Sequence, residues 1–193
     1  QTAFLLDPPK PKPYIRFNSD QNAPSAFLWL TMTFQAEISG LFIDRKNGEA
    51  VLMLKEQEGT RTLPIWIQME DMFSVAIQLS NGQFNLPRPF AHDLIKTIVH
   101  NLQAKVDQVV ITDIEDYIYY AQVTIVSPEK SLKFDARPSD AILMALKFDA
   151  PICIVEEVVE KQVALIEDAG LTEETLFQRL QKIQPEDIIN HSA

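Results

Sequence analysis

The spacing of the apolar residues is what most constrains this chain. Phe34, Ala36 and Ile38 alternate with other side chains, the two-residue repeat of a strand with one buried face, and Gly40 marks a candidate bulge. Lys46-Asn47-Gly48 then offers the positive φ angles of a tight hairpin turn, and Glu49–Lys55 reads as the returning strand. Gln57-Glu58-Gly59 turns the chain into a third strand, Arg61–Ile67. Pro64 has no backbone N–H, so that strand belongs at a sheet edge or carries an irregularity. After Ile67 the period changes: Met69, Met72, Phe73, Ala76 and Ile77 fall on one helical face.

A similar order of elements follows. Asn81–Pro87 reads as a loop, and Pro89 suits the first position of a second helix running to about Gln103. Leu94, Ile95, Ile98, Val99 and Leu102 form its apolar stripe. Strands are expected at Val106–Ile114, Tyr117–Ser127 and Ser131–Asp135. Pro138 opens a third helix ending near Lys147, and Pro151 precedes a short strand, Ile152–Val155. Val158–Ile166 fits either class, and Thr172 can cap a last helix, Glu173–Ile183. Strands grouped in meanders with inserted helices predict an α+β fold: one domain with a mixed β-sheet of two βββα-like halves and a linking helix.

Length agrees with one domain, since 193 residues exceed the typical size of about 150 by a modest margin. Residues 1–31 differ from the rest, with Pro8, Pro9, Pro11, Pro13 and Pro24 and no periodicity. Lys10, Lys12 and Arg16 ahead of the apolar Ala26–Phe34 outline a weak signal peptide, but Asp20 and the prolines interrupt it. We read residues 1–31 as a loose extension, residues 32–157 as the domain and residues 158–193 as a helical tail.

No apolar run approaches the roughly 18 residues of a membrane span, so a cytoplasmic protein that needs no membrane is expected. The single cysteine, Cys153, excludes an internal disulfide and multi-cysteine zinc sites, and reads as a buried structural thiol. The five glycines form neither a dinucleotide fingerprint nor a Walker loop. The formal charge of −10 repels nucleic acid in general, so any role on RNA or DNA needs a local basic site.

Two segments are candidates for a phosphate site. Arg88-Pro89-Phe90-Ala91-His92-Asp93 and Asp135-Ala136-Arg137-Pro138-Ser139-Asp140 each place an arginine before a proline-opened helix with an aspartate in its first turn. Free N–H groups at a helix start, completed by a guanidinium fork, suit phosphate. The same pattern also describes an ordinary helix start, with Arg137 paired to Asp135 or Asp140. His92 titrates near neutrality when unperturbed and suits a general base or acid; His100 reads as surface and His191 has no role. Glu70, Asp93, Asp135 and Asp140 are oxygen donors that would hold Mg²⁺ or Mn²⁺ if they converged. Asp113-Ile114-Glu115-Asp116 reads as a hairpin turn, Trp66 as core, and at least one of Tyr117, Tyr119 and Tyr120 as exposed.

Leu63-Pro64-Ile65-Trp66-Ile67 with Glu70, then Arg88-Pro89 with His92-Asp93, then Asp135 through Ile142, together resemble the bifunctional nuclease domain family of bacterial and plant proteins. The resemblance spans about Met32 to Glu157. The tail Phe177–Ile188, with Gln184-Pro185-Glu186-Asp187, is similar to tails of bacterial members. The resemblance implies an α+β fold, self-association into a homo-oligomer, and nuclease activity on RNA and DNA. It singles out Glu70, Arg88, His92, Asp93, Asp135, Arg137, Ser139 and Asp140. Gln68 and Asp71 depart from its usual pattern, and Asp71 adds negative charge beside Glu70.

Two functions are compatible with these residues. In the first, a metal-assisted phosphodiesterase, Arg88, Arg137 and Ser139 hold phosphate. Glu70, Asp93, Asp135 and Asp140 hold the ion, with His92, Asp93, Asp135 and Asp140 as catalytic groups. In the second, a non-catalytic oligomeric or regulatory module, the same motifs fix helix starts and a subunit interface. Residues 33–157 carry 11 basic and 18 acidic side chains, a net −7 that favours the second.

Overall fold

A computed structural model describes residues 33–80 and 88–190. The N-terminal extension, the Asn81–Pro87 loop and His191 lie outside the described residues. The elements in chain order are β1 (Thr33–Asp44), β2 (Ala50–Glu56), β3 (Thr62–Ile67), α1 (Met69–Leu79), α2 (Ala91–Asn101), β4 (Lys105–Glu115), β5 (Ile118–Val126) and β6 (Ser131–Ala136). They continue with α3 (Pro138–Phe148), β7 (Ile152–Val155), α4 (Glu156–Asp168), α5 (Glu173–Arg179), β8 (Leu180–Ile183) and α6 (Pro185–Asn190). The fold is α+β around one mixed sheet of order β3-β2-β1-β7-β4-β5-β6, with β8 also on β1. The β4–β7 pair is parallel and the other pairs are antiparallel.

β1 organises this sheet. One edge takes β2, with a register shift between Ile38 and Gly40, so the bulge lies where the glycine suggests. Lys182 of β8 crosses so close that a Cβ on Gly40 would sit 2.9 Å from its Cε. Its ammonium donates to the Ser39 carbonyl, 3.2 Å away. The other edge of β1 is divided: Thr33–Ala36 pair with β7 and Leu41–Asp44 with β8. Gly48 takes a φ of 75° in the β1–β2 turn. At the β4–β5 turn it is Asp116 and Tyr117 that take φ values of 49° and 65°.

β3 is an edge strand, as Pro64 requires. The Pro64 carbonyl accepts from Tyr119 Oη on β5 at 2.9 Å and from Gln162 Nε2 on α4 at 3.3 Å. β5 is five positions away in the sheet, and at about 4.8 Å per strand a tyrosine cannot bridge that gap unless the sheet curls. Inside the curl lie Leu41, Leu52, Leu54, Leu63, Ile65, Met72, Ile111, Ile142, Leu143 and Ile154, all essentially inaccessible.

Four expectations change. Pro89 lies before the helix, because α2 begins at Ala91 and the Asp93 carboxylate accepts the Phe90 N–H at 2.9 Å. The apolar stripe of α2 does not face the core: Leu94, Ile98 and Leu102 are 58%, 49% and 69% exposed, and only Val99 is buried. The reason is placement, since the main packing partner of α2 is α3. The expected helix Glu173–Ile183 stops at Arg179, where Leu180–Ile183 leave it to complete the β1 edge. Trp66 is half-buried and stands outside the core; Cys153 is partly buried and packs against it, and burial pushes the thiol pKa upward.

Val158–Ile166 resolves into α4, with Val158, Gln162 and Ile166 on its buried face. Arg179 places its guanidinium on the fully buried Asp44, and Ile188 and Ile189 of α6 join the core. Among the described residues no helix is long and apolar enough to cross a membrane.

Candidate functional site

α3 starts where it does because Pro138 takes the first helical position and Arg137, extended at φ −64° and ψ 147°, is the N-cap residue. Its buried face, Ser139 and Ala141–Ala145, packs against β4 and β5 with α1 and α2 alongside. The first turns of the three helices consequently meet.

Arg137 lies at the centre. Its Nε and Nη2 donate to the two oxygens of Asp140, at 2.7 and 3.0 Å. Nη2 also donates to Asp71 Oδ1 at 3.2 Å, and Nη1 lies 3.2 Å from Asp71 Oδ2. Ser139, 4% exposed, donates its hydroxyl to Asp71 Oδ2 at 2.8 Å. From α2, His92 Nε2 lies 3.1 Å from Asp140 Oδ1. The His92 hydrogen bond, and after it the Arg137 fork, hold Asp140 at about 2 against the opposing effect of burial. The two carboxylates raise Arg137 further above its already high value, Asp140 first. An ionised carboxylate can only accept, so His92 donates from Nε2, and in the neutral ring the lone pair is on Nδ1.

Asp93 belongs to a different group. One oxygen closes the start of α2; the other accepts from Lys147 Nζ, which also donates to Gln78 Oε1 at 3.1 Å. Burial would raise the Asp93 pKa, but the Lys147 and Phe90 hydrogen bonds outweigh it and the group stays below its ordinary value.

The structure thus brings together His92, Arg137, Ser139 and Asp140 of the residues singled out in the sequence. Glu70, Arg88 and Asp135 are exposed, and none of the cluster's contacts is theirs. The pairing open to Arg137 is with Asp140, not Asp135. The four carboxylates expected to share Mg²⁺ or Mn²⁺ do not gather: among the described residues no three His, Cys, Asp or Glu side chains could hold a metal ion together. Asp71 and Asp140 do approach one another, but through Arg137, which a cation would have to displace. This residue set does not fit a metal centre.

Asp71 is the residue that sequence reasoning missed. It was visible as extra negative charge beside Glu70. Its position four residues before the buried Val75 turns it toward α3, whereas Glu70 precedes the half-buried Ser74.

The family described as the bifunctional nuclease domain matches residues 52–167, a segment that contains all the cluster residues. Two proteins from two strains of Mycobacterium tuberculosis, each described only as uncharacterized, are 31% identical over 150 residues, which is 78% of this chain and 88% of the relative.

Proposed function

The chain belongs to the bifunctional nuclease domain family, and on that premise we propose that it cleaves phosphodiester bonds of RNA or DNA at the cluster around Arg137, in a cytoplasmic setting. The observation that carries this reading is the carboxylate-held histidine, His92 on Asp140, beside a guanidinium. His92 Nδ1 takes the proton of the attacking oxygen, the 2′-hydroxyl in RNA or water in DNA. As the bond to the leaving oxygen breaks, the imidazolium returns a proton. Asp140 is a positioning residue that fixes the tautomer and stabilises the imidazolium. Arg137 supplies positive charge near the phosphate. Most of its donors already serve carboxylates, so it acts through charge and not as a free bidentate ligand. Asp71 and Ser139 hold it there.

The test is cleavage of labelled RNA and DNA oligonucleotides by the purified chain, in chelator and in Mg²⁺ or Mn²⁺, beside His92→Ala. General acid–base catalysis is worth about 10²–10⁴-fold, so a loss of that size is expected in a variant that circular dichroism shows to be still folded at the assay temperature. Cleavage unaffected by the substitution, or no cleavage under any condition, refutes the reading. The second reading, a non-catalytic interaction module, draws on the apolar face that α2 exposes. It predicts intact binding functions in a chain that cleaves nothing.

A further inference from the structure

Among the described residues, the cluster around Arg137 holds one group able to take up and return a proton, and this limits which phosphodiester it can break. The other side chains there are committed. Both Asp140 oxygens accept from Arg137, and Oδ1 also meets His92 Nε2. Asp71 accepts from Arg137 on Oδ1 and from the Ser139 hydroxyl on Oδ2. A carboxylate that accepts from a guanidinium has no proton to give. The Ser139 hydroxyl is buried, out of a substrate's reach. His92 Nδ1 is left, on a side chain 18% exposed, beside the exposed Arg137. Glu70 and Asp135, acids that could have brought a water-activating cation, make none of the cluster's contacts.

We propose that this site cleaves RNA by internal transesterification, leaving 2′,3′-cyclic phosphate and 5′-hydroxyl ends, and does not hydrolyse DNA. The inference rests on the nuclease reading above and narrows it. His92 Nδ1 takes the proton of a 2′-hydroxyl, and the freed oxygen bonds to the adjacent phosphorus. The bond from that phosphorus to the 5′-oxygen of the next nucleotide breaks, and the imidazolium returns the proton to the leaving oxygen. One P–O bond forms, one breaks, one proton is relayed, and no water is consumed. RNA brings its own nucleophile: a group held beside the reacting atom acts at an effective molarity of about 10⁵–10⁸ M. DNA has no such group. Its hydrolysis needs a water both held and deprotonated at the phosphate, and a general base by itself contributes only about 10²–10⁴-fold. The same shortage applies to opening the cyclic phosphate with water, so the cyclic end should persist.

The full chain is tested on three oligonucleotides of one sequence: RNA, the same RNA with a single 2′-deoxy residue, and DNA, each in chelator and in Mg²⁺ or Mn²⁺. Mass spectrometry identifies the ends, since a cyclic phosphate weighs one water less than the linear monophosphate. RNA should be cut to cyclic phosphate and 5′-hydroxyl ends at the same rate with and without chelator. The bond after the 2′-deoxy residue should be skipped while the others are cut. DNA should be cut at least about 10³-fold more slowly, the lower part of what a built-in nucleophile supplies. His92→Ala should lose the cleavage. So should His92→Gln, which keeps an N–H donor for Asp140 and removes the base; circular dichroism checks that both variants are folded. Cleavage of DNA, or at the 2′-deoxy position, within about tenfold of RNA overturns the inference and leaves the nuclease reading standing. Linear 5′-phosphate ends, or cleavage that chelator abolishes, do the same. Cyclic ends formed as fast by His92→Ala, or no cleavage of any substrate, overturn the nuclease reading and this inference together.

Discussion

Replacing Arg137 with alanine tests the central cluster most directly. The side chain is 46% exposed, whereas its partners Asp71 and Asp140 are 15% and 30% exposed. Removing one member of a fully buried pair costs about 3–5 kcal/mol, and an exposed pair contributes about 1 kcal/mol or less. This pair lies between those limits, and the substitution leaves two carboxylates, one on α1 and one on α3, without the guanidinium between them. A loss of about 2 kcal/mol at pH 7 is expected, a melting shift of about 4–8 °C for a chain of this length. The loss must depend on pH. Asp140 titrates near 2 in the folded chain, against an ordinary value of 3.8. A carboxyl group lowered in this way stabilises the fold above its unfolded pKa, and the contribution disappears as pH falls through the folded value. The difference between parent and variant should therefore be full above about pH 5 and shrink between about pH 4 and 2. Part of it survives, because His92 makes the largest contribution to the shift and remains in place. Urea unfolding followed by circular dichroism at pH 7, 5 and 3 measures it. A loss under about 0.5 kcal/mol at pH 7, the range of an ordinary surface substitution, or one constant with pH, refutes the reading of Arg137 as a structural tie between helices.

Arg179→Ala should be more damaging, about 3–5 kcal/mol in thermal unfolding, because Asp44 is fully buried and is left without its guanidinium. Hydrogen exchange should show the β8 amides losing protection first. Tyr119→Phe should cost only about 1 kcal/mol by urea unfolding, since Gln162 still donates to the Pro64 carbonyl. Gly48→Ala should cost about 1–2 kcal/mol in the same assay from its φ of 75° alone, because no atom lies within 4 Å of the added Cβ. Cys153 should react with a disulfide reagent at pH 8 more slowly than a free thiol, since burial raises its pKa and reduces its thiolate fraction.

Local chemistry accounts for what could be read without the structure. The alternation along β1, the Asn47-Gly48 turn, the edge position implied by Pro64 and the start of α3 at Pro138 each follow from a few neighbouring residues. They follow because period, positive φ and a missing N–H are properties of the chain itself. His92, Arg137, Ser139 and Asp140 stood out at two similar helix starts, but so did Arg88, Asp93 and Asp135, and the pattern alone did not tell which of them meet. Long-range geometry decided the rest. Asp71 and Arg137 are 66 residues apart, and which acid of the Glu70-Asp71 pair turns inward depends on how α1 rolls to bury Met72, Val75 and Ala76. Asp93 resembled Asp140 in position but was claimed by Lys147, 54 residues away. Leu180–Ile183 continued a plausible helix, yet became β8. Helix propensities differ by only tenths of a kcal/mol per residue, whereas an unpaired β1 edge and an uncompensated Asp44 cost several. The exposed stripe of α2 has the same origin. Amphipathic spacing announces that a face exists, but only the position of α3 determines that this face looks away from the core.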